Sequence, residues 1–109
     1  MAELNKVIHQ PIRLRIMAAL VALQPDAQMD FTYLRDLLEL TDGNLGAHLR
    51  KLEEVGYVTL RKTFVARKPR TYASTTVKGR KAFNKHVIAL ETILNIREDG
   101  SPYQTAQRK

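Results

Sequence analysis

The stretch Asp42–Tyr57, DGNLGAHLRKLEEVGY, decides how this chain reads. Leu45, Leu49, Leu52 and Val55 recur at spacings of four, three and three, which lines them along one face of an amphipathic helix. Thr41 or Asp42 can cap the start by accepting a backbone N–H, and Gly56 can stop the helix in the left-handed conformation that strains other residues. Asn44, Ala47, His48, Arg50 and Lys51 fall largely on the other side. Gly46 and Ala47 keep that side low in relief, while Asn44, His48, Arg50 and Lys51 supply hydrogen-bond donors. A low face bearing amide and guanidinium donors is what a helix needs to enter a DNA major groove.

Outward from this helix, the preceding residues supply a partner for it. Met29–Phe31 can form a short extended segment, and Thr32 can cap a helix from Tyr33 to about Glu39 with Leu34, Leu37 and Leu38 inward. A short helix, a turn holding Thr41, Asp42 and Gly43, and a second amphipathic helix make a helix-turn-helix. Further upstream, Pro11 suits the first turn of a helix whose stripe is Ile12, Ile16, Leu20 and Leu23. Leu4, Val7 and Ile8 imply a turn leading into it.

After Gly56 the period becomes alternating. Tyr57–Thr63 is rich in β-formers, Phe64–Pro69 interrupts the pattern, and Arg70–Thr75 reads as a return strand. Two strands joined by the basic tip VARKPR form a hairpin, the wing, over about 57–75. Thr76 can cap a last helix over about 76–97. In it Phe83, Val87, Leu90 and Leu94 fall at spacings of four, three and four, the seam of a short coiled coil, with Ile88 and Ile93 widening it. The expected architecture is mainly α with a small β-hairpin, a winged helix-turn-helix over 1–98 with a C-terminal dimerisation helix. A polar tail at 99–109 is expected to be disordered.

Charge points the same way. The 109-residue chain, one domain by length, carries a net charge of +7. No Asp or Glu occurs between Val55 and Leu90, a span that holds Arg61, Lys62, Arg67, Lys68, Arg70, Lys78, Arg80, Lys81 and Lys85. One-sided basicity in a small domain is the footprint of a polyanion partner. With no cysteine and three isolated histidines, His9, His48 and His86, there is no metal-ligand spacing. No nucleophile elbow, acid/base pair or phosphate-cradling glycine motif is present, so neither an enzyme nor a cofactor-binding protein is expected. The absence of a long apolar run and of a secretion signal leads to an expected cytoplasmic location.

The segments IHQPIRLRIMAAL, FTYLRDLLELTDGNLGAHLRKLEEVGYV and KTFVARKPRTYASTTVKGRKAF together resemble the small winged-helix transcription regulators related to the ArsR and MarR repressors. The likeness covers Val7 to Leu94, and NLGAHLRKLEEVGYV followed by TTVKGR is its most specific part. It implies that the Asp42–Tyr57 helix is a recognition helix, that the hairpin tip reaches a minor groove or the backbone, and that two copies pair through terminal helices. Metal-sensing ArsR proteins use cysteine or clustered His and Asp, which this chain lacks. MarR proteins are longer and hold a phenolic ligand for which this chain has little room, so no effector is assigned.

The residues expected to act follow. Asn44, Ala47, His48 and Arg50 face base edges, with Lys51 on a phosphate. Arg67, Lys68 and Arg70 make the cationic wing tip, with no acid near in sequence, and Lys62 supports them. Thr32, Tyr33 and Arg35 hold the DNA backbone from the start of the preceding helix, or Arg35 pairs with Glu39. Lys78, Arg80 and Lys81 occupy a solvated first turn. Phe83, Val87, Leu90 and Leu94 form the homodimer seam. The alternatives are a winged helix that docks on a protein, and a non-specific nucleic-acid-binding protein.

Overall fold

The computed structural model describes residues 3–95. The expected tail at 99–109 and the end of the last helix near Arg97 lie outside the described residues. The elements run α1 (Pro11–Val21), β1 (Met29–Asp30), α2 (Phe31–Leu38), α3 (Asp42–Glu54), β2 (Val58–Val65), β3 (Lys68–Thr75) and α4 (Val77–Asn95). The wing is more than a hairpin: β1 joins it as a third antiparallel strand in the order β1-β3-β2, with Met29 opposite Ala73 and Asp30 opposite Tyr72.

α3 starts and stops where its chemistry dictates. The Asn44 backbone N–H donates to Thr41 Oγ1 at 3.1 Å, so Thr41 is the cap. At the other end Gly56 has φ of +83°, the left-handed region that a side chain would strain. Leu45, Leu49 and Leu52 are fully buried, each such burial contributing roughly 1.5–3 kcal/mol. They meet Ile16, Met17 and Leu20 of α1, Leu34 and Leu38 of α2, Val58 and Ala73 of the sheet, and Ile8 of the N-terminal turn. Val55 is half-buried at the end of the stripe.

α2 departs from expectation in two respects. Its cap is Asp30, whose carboxylate accepts from Tyr33 N at 3.0 Å, so Thr32 lies inside the first turn. Both residue types cap well, and β1 pairing with β3 makes Asp30 the last extended residue. Leu37 is 50% exposed, because Leu34 and Leu38 already define the inward side of so short a helix.

The hairpin continues through the stretch that the sequence pattern appears to interrupt. β2 runs to Val65 and β3 begins at Lys68, leaving a two-residue turn, Ala66–Arg67, with φ of +50° and +69°. Two left-handed residues match the twist of a tight hairpin. Pro69 sits opposite Phe64 without breaking the ladder. Counting out from the turn, that pair is one whose backbone groups point away from the partner strand, so the missing N–H costs no bond.

α4 is clamped to the base of the wing. Thr76 Oγ1 donates to the Gly56 carbonyl at 2.6 Å and accepts from Gly79 N at 2.9 Å. Gly79 is obligatory: a Cβ there would lie 2.1 Å from the Tyr57 carbonyl oxygen. Farther along, α4 outruns the domain. Phe83 packs on the core, Val87 and Leu90 are half-buried, and Leu94 is 71% exposed. Ile88, expected beside them, is two residues on from buried His86, about 160° round the helix, and faces away.

Candidate nucleic-acid interface

The outward side of α3 carries Asn44, Ala47, Arg50 and Lys51, all exposed. Arg50 folds back along the helix, its Nη1 3.4 Å from where a Cβ on Gly46 would stand. It borders a groove of about 620 Å³ between α3 and the wing, whose charged lining is Asp42, Arg50, Glu53 and Lys62. The two acids in this groove make it mixed in sign rather than uniformly basic.

His48 does not belong to that outward set. It lies on the flank of α3 toward α1, half-buried, where Arg13 Nη1 donates to its Nδ1 at 3.2 Å. Burial, then the Arg13 charge, lowers its pKa below the ordinary imidazole value, so the ring is neutral near pH 7. Its spacing from Leu45 and Leu49 puts it only about 60° from the buried stripe, which explains the discrepancy.

In the wing, side chains alternate between two faces. Leu60, Lys62 and Phe64 share the face that borders the α3 groove, and Arg61, Thr63 and Val65 share the other. Arg61 is committed to the scaffold: it stacks over Tyr72 at 5.1 Å and its Nε donates to Gln28 Oε1 at 3.2 Å. Arg70, expected to stand clear of any acid, has Asp30 3.5 Å away, brought there by the β1–β3 pairing. Arg67 and Lys68 are exposed, and among the described residues neither has an acidic partner. The tip's free positive charge is therefore Arg67 and Lys68, with Lys62 behind them.

The start of α2 is acidic rather than anion-seeking. Asp30 already occupies the helix N-terminus, and Thr32 and Tyr33 stand exposed beside it, with Asp36 lining the same cleft. Arg35 does not pair with Glu39. Its Nη1 donates to Asp42 at 2.8 Å and its Nε to Asp36 at 2.9 Å, bonds that hold the guanidinium protonated beyond its ordinary range. Glu39 instead takes a left-handed conformation that ends α2. Arg35 thus links α2 to the first turn of α3 and fixes the angle of the helix-turn-helix.

Several residues that hold this frame carry no local sequence signal. Arg80, expected on a solvated turn, is half-buried and donates to the carbonyls of Val21 at 3.1 Å and Leu23 at 2.8 Å, closing the end of α1. Arg15 does the same for α2 through Leu38 O at 2.7 Å. Asn5 is a junction. Its N–H donates to His86 Nδ1 at 2.9 Å, its Nδ2 to Tyr57 Oη at 2.8 Å, and its Oδ1 accepts from Val7 N and Ile8 N. His86 is 1% exposed and edge-on to His9; burial, then His9, lowers its pKa. Among the described residues no group of three or more His, Cys, Asp or Glu is placed to hold a metal, and no helix is long and apolar enough to cross a membrane.

Residues 12–94 match the family described as winged helix DNA-binding domain. The chain belongs to that family. An uncharacterized protein of Methanocaldococcus jannaschii is 39% identical over 82 residues, 75% of this chain and 86% of that one. A transcriptional regulator homologue from Pyrococcus horikoshii OT3 has a similar structure, with a TM-score of 0.73 at 31% identity over 83% of this chain and 86% of that one. The transcriptional repressor BigR from Xylella fastidiosa is also similar, with a TM-score of 0.57 at 26% identity over 81% and 76% of the two chains. This winged helix is thus of the kind found in transcription regulators, and its helix-turn-helix, wing and last helix follow in the expected order.

Proposed function

We propose that this winged helix is a cytoplasmic, homodimeric transcription regulator that binds double-stranded DNA at specific sequences. The observation that carries the reading is the groove between α3 and the wing, with Arg50 on one wall and Lys62 on the other. With α3 in the major groove and the wing tip at the adjoining minor groove, the phosphate strand between the two grooves runs along this cleft. Asn44, Ala47 and Arg50 then face base edges and Lys51 a phosphate. Arg67 and Lys68 hold the backbone beyond. Thr32 and Tyr33 contribute only hydroxyl donors, and His48, Arg35 and Arg70 act by positioning.

The far half of α4 supports the dimer. Leu94 and Ile93, at 71% and 51% exposure, and the half-buried Val87 and Leu90 leave apolar surface that this chain's own core does not fully cover. A second copy packed on it would set two recognition helices about one helical turn, roughly 34 Å, apart on a near-palindromic site.

Selection of bound fragments from genomic DNA, followed by footprinting, tests this. The expected footprint is two symmetric half-sites, and Arg50→Ala should relax base preference in each by about 1–3 kcal/mol per position. Equal affinity for selected and scrambled duplexes would leave only non-specific binding. No affinity for either, unchanged in an Arg67→Ala/Lys68→Ala variant, would instead make the partner a protein.

A further inference from the structure

The wing ends in an apolar pair that no core covers. Phe64 is 73% exposed, and Pro69 stands opposite it on β3. Strand alternation gives Phe64 the same face as Leu60 and Lys62, the face that borders the α3 groove. The aromatic ring therefore continues the line of that groove outward to the tip. Arg67 and Lys68, both exposed and, among the described residues, without acidic partners, follow it after a gap of two residues. The platform beneath is stiff for so small a loop. The turn has only two residues, and Pro69 has its φ locked by its ring.

An apolar side chain held out among unpaired cations suits one surface well. Cations alone would hold any phosphate backbone, and an aromatic would add nothing along phosphates. Inside a minor groove, an apolar wedge can enter between base pairs, partly unstack them and bend the duplex while flanking cations grip the strands. Taking as given the reading in which the wing meets the minor groove, we propose that Phe64, backed by Pro69, is a wedge that inserts at a base step and kinks the DNA. Phe64 is then a specificity-determining residue of an indirect kind. It favours a pyrimidine–purine step where the wing lands, because such steps unstack most easily, and it does so without a hydrogen bond to any base.

The test uses a 30-base-pair duplex recovered by selection, with 2-aminopurine substituted in turn at purines in the minor-groove segments at the outer ends of the footprint and fluorophores at the two ends. Binding of the wild-type chain should raise 2-aminopurine fluorescence at one step per half-site and bring the ends closer. Phe64→Ala should abolish both signals and weaken binding by about tenfold, because the contacts that the bend gains outweigh the unstacking that it costs. Phe64→Leu should keep most of both. Arg67→Ala should weaken binding to all duplexes yet leave the fluorescence change in place once the complex is saturated. Equal melting temperatures for the Phe64 variants would separate the wedge from a hairpin-stabilising role, which could not change 2-aminopurine emission. Saturable binding with no fluorescence change at any step would overturn the wedge while leaving DNA recognition intact. Absence of DNA binding by the wild-type chain at low salt would remove both.

Discussion

The two ends of the same hairpin differ in almost every physical respect. At its base, Val58, Ala73 and Thr75 are buried, Tyr57 and Gly56 are bonded to Thr76, and the backbone of α4 approaches so closely that residue 79 has no room for a side chain. At its tip, every residue from Phe64 to Arg70 is exposed, and two residues without glycine's freedom occupy left-handed conformations. The base spends its sequence on packing, and the tip spends none. A strand pair that is core at one end and solvent at the other presents charge and an aromatic ring at a fixed distance from α3. It follows that substitutions at the base should change stability, and those at the tip should change mainly binding.

The largest effect is expected from Gly79→Ala. Its Cβ would fall 2.1 Å from the Tyr57 carbonyl, so either α4 or the base of the wing must move. The loss should reach about 3 kcal/mol, the upper end for overpacking, with the melting temperature lowered by roughly 10 °C or more. A melting temperature within about 2 °C of wild type would show that the junction yields more easily than its geometry implies. Arg80→Ala should follow, at about 1.5–3 kcal/mol, because it frees the Val21 and Leu23 carbonyls at the end of α1 from a charged donor. Chemical denaturation would measure it.

Next comes acidification. His86 and His48 have pKa values lowered in the folded chain, so the fold binds fewer protons than the unfolded chain does. Stability is fully present above the ordinary imidazole value of about 6.5 and is lost as pH falls below it. Melting scans between about pH 7.5 and 5 should show that fall. His86→Asn can keep an acceptor for Asn5 N–H but has no proton to gain, and should flatten the fall. An unchanged pH profile in that variant would move the effect elsewhere. The smallest stability change belongs to the tip: Ala66→Asn should raise stability by less than about 1 kcal/mol, since Asn tolerates the left-handed turn better.

Much of this division was legible in the sequence, and what escaped has identifiable reasons. The leucine spacing gives α3, and Thr41 and Gly56 bound it, because capping and helical periodicity are local properties. The wing's outer bounds agree with the sequence pattern, but Phe64–Pro69, where a proline in a run looks like a break, is strand on both sides of a two-residue turn. Only the register shows that the proline nitrogen points out of the ladder. The contacts of Arg35, Arg70 and Arg80 escape the sequence for one shared reason: their partners Asp42, Asp30 and the carbonyls at the end of α1 belong to other elements, which charge counting along the chain does not join. His48 shows the angular limit of helix reading, since a residue some 60° off a stripe can go to either side, whereas Ile88 stands about 100° or more from every residue of its expected seam. Leu37 shows its length limit, because an eight-residue helix has little inward surface to share.

In the proposed complex the wing tip and the α3 groove grip a DNA backbone through Lys62, Arg67 and Lys68. The most direct measurement is the salt dependence of affinity for one duplex, in the wild type and in the three single alanine variants. Each substitution should leave the melting temperature unchanged and flatten the plot of log affinity against log salt by about one, the slope contributed by each phosphate contact. Slopes that match wild type in all three variants would contradict the account, and would place whatever polyanion this chain binds somewhere other than the wing.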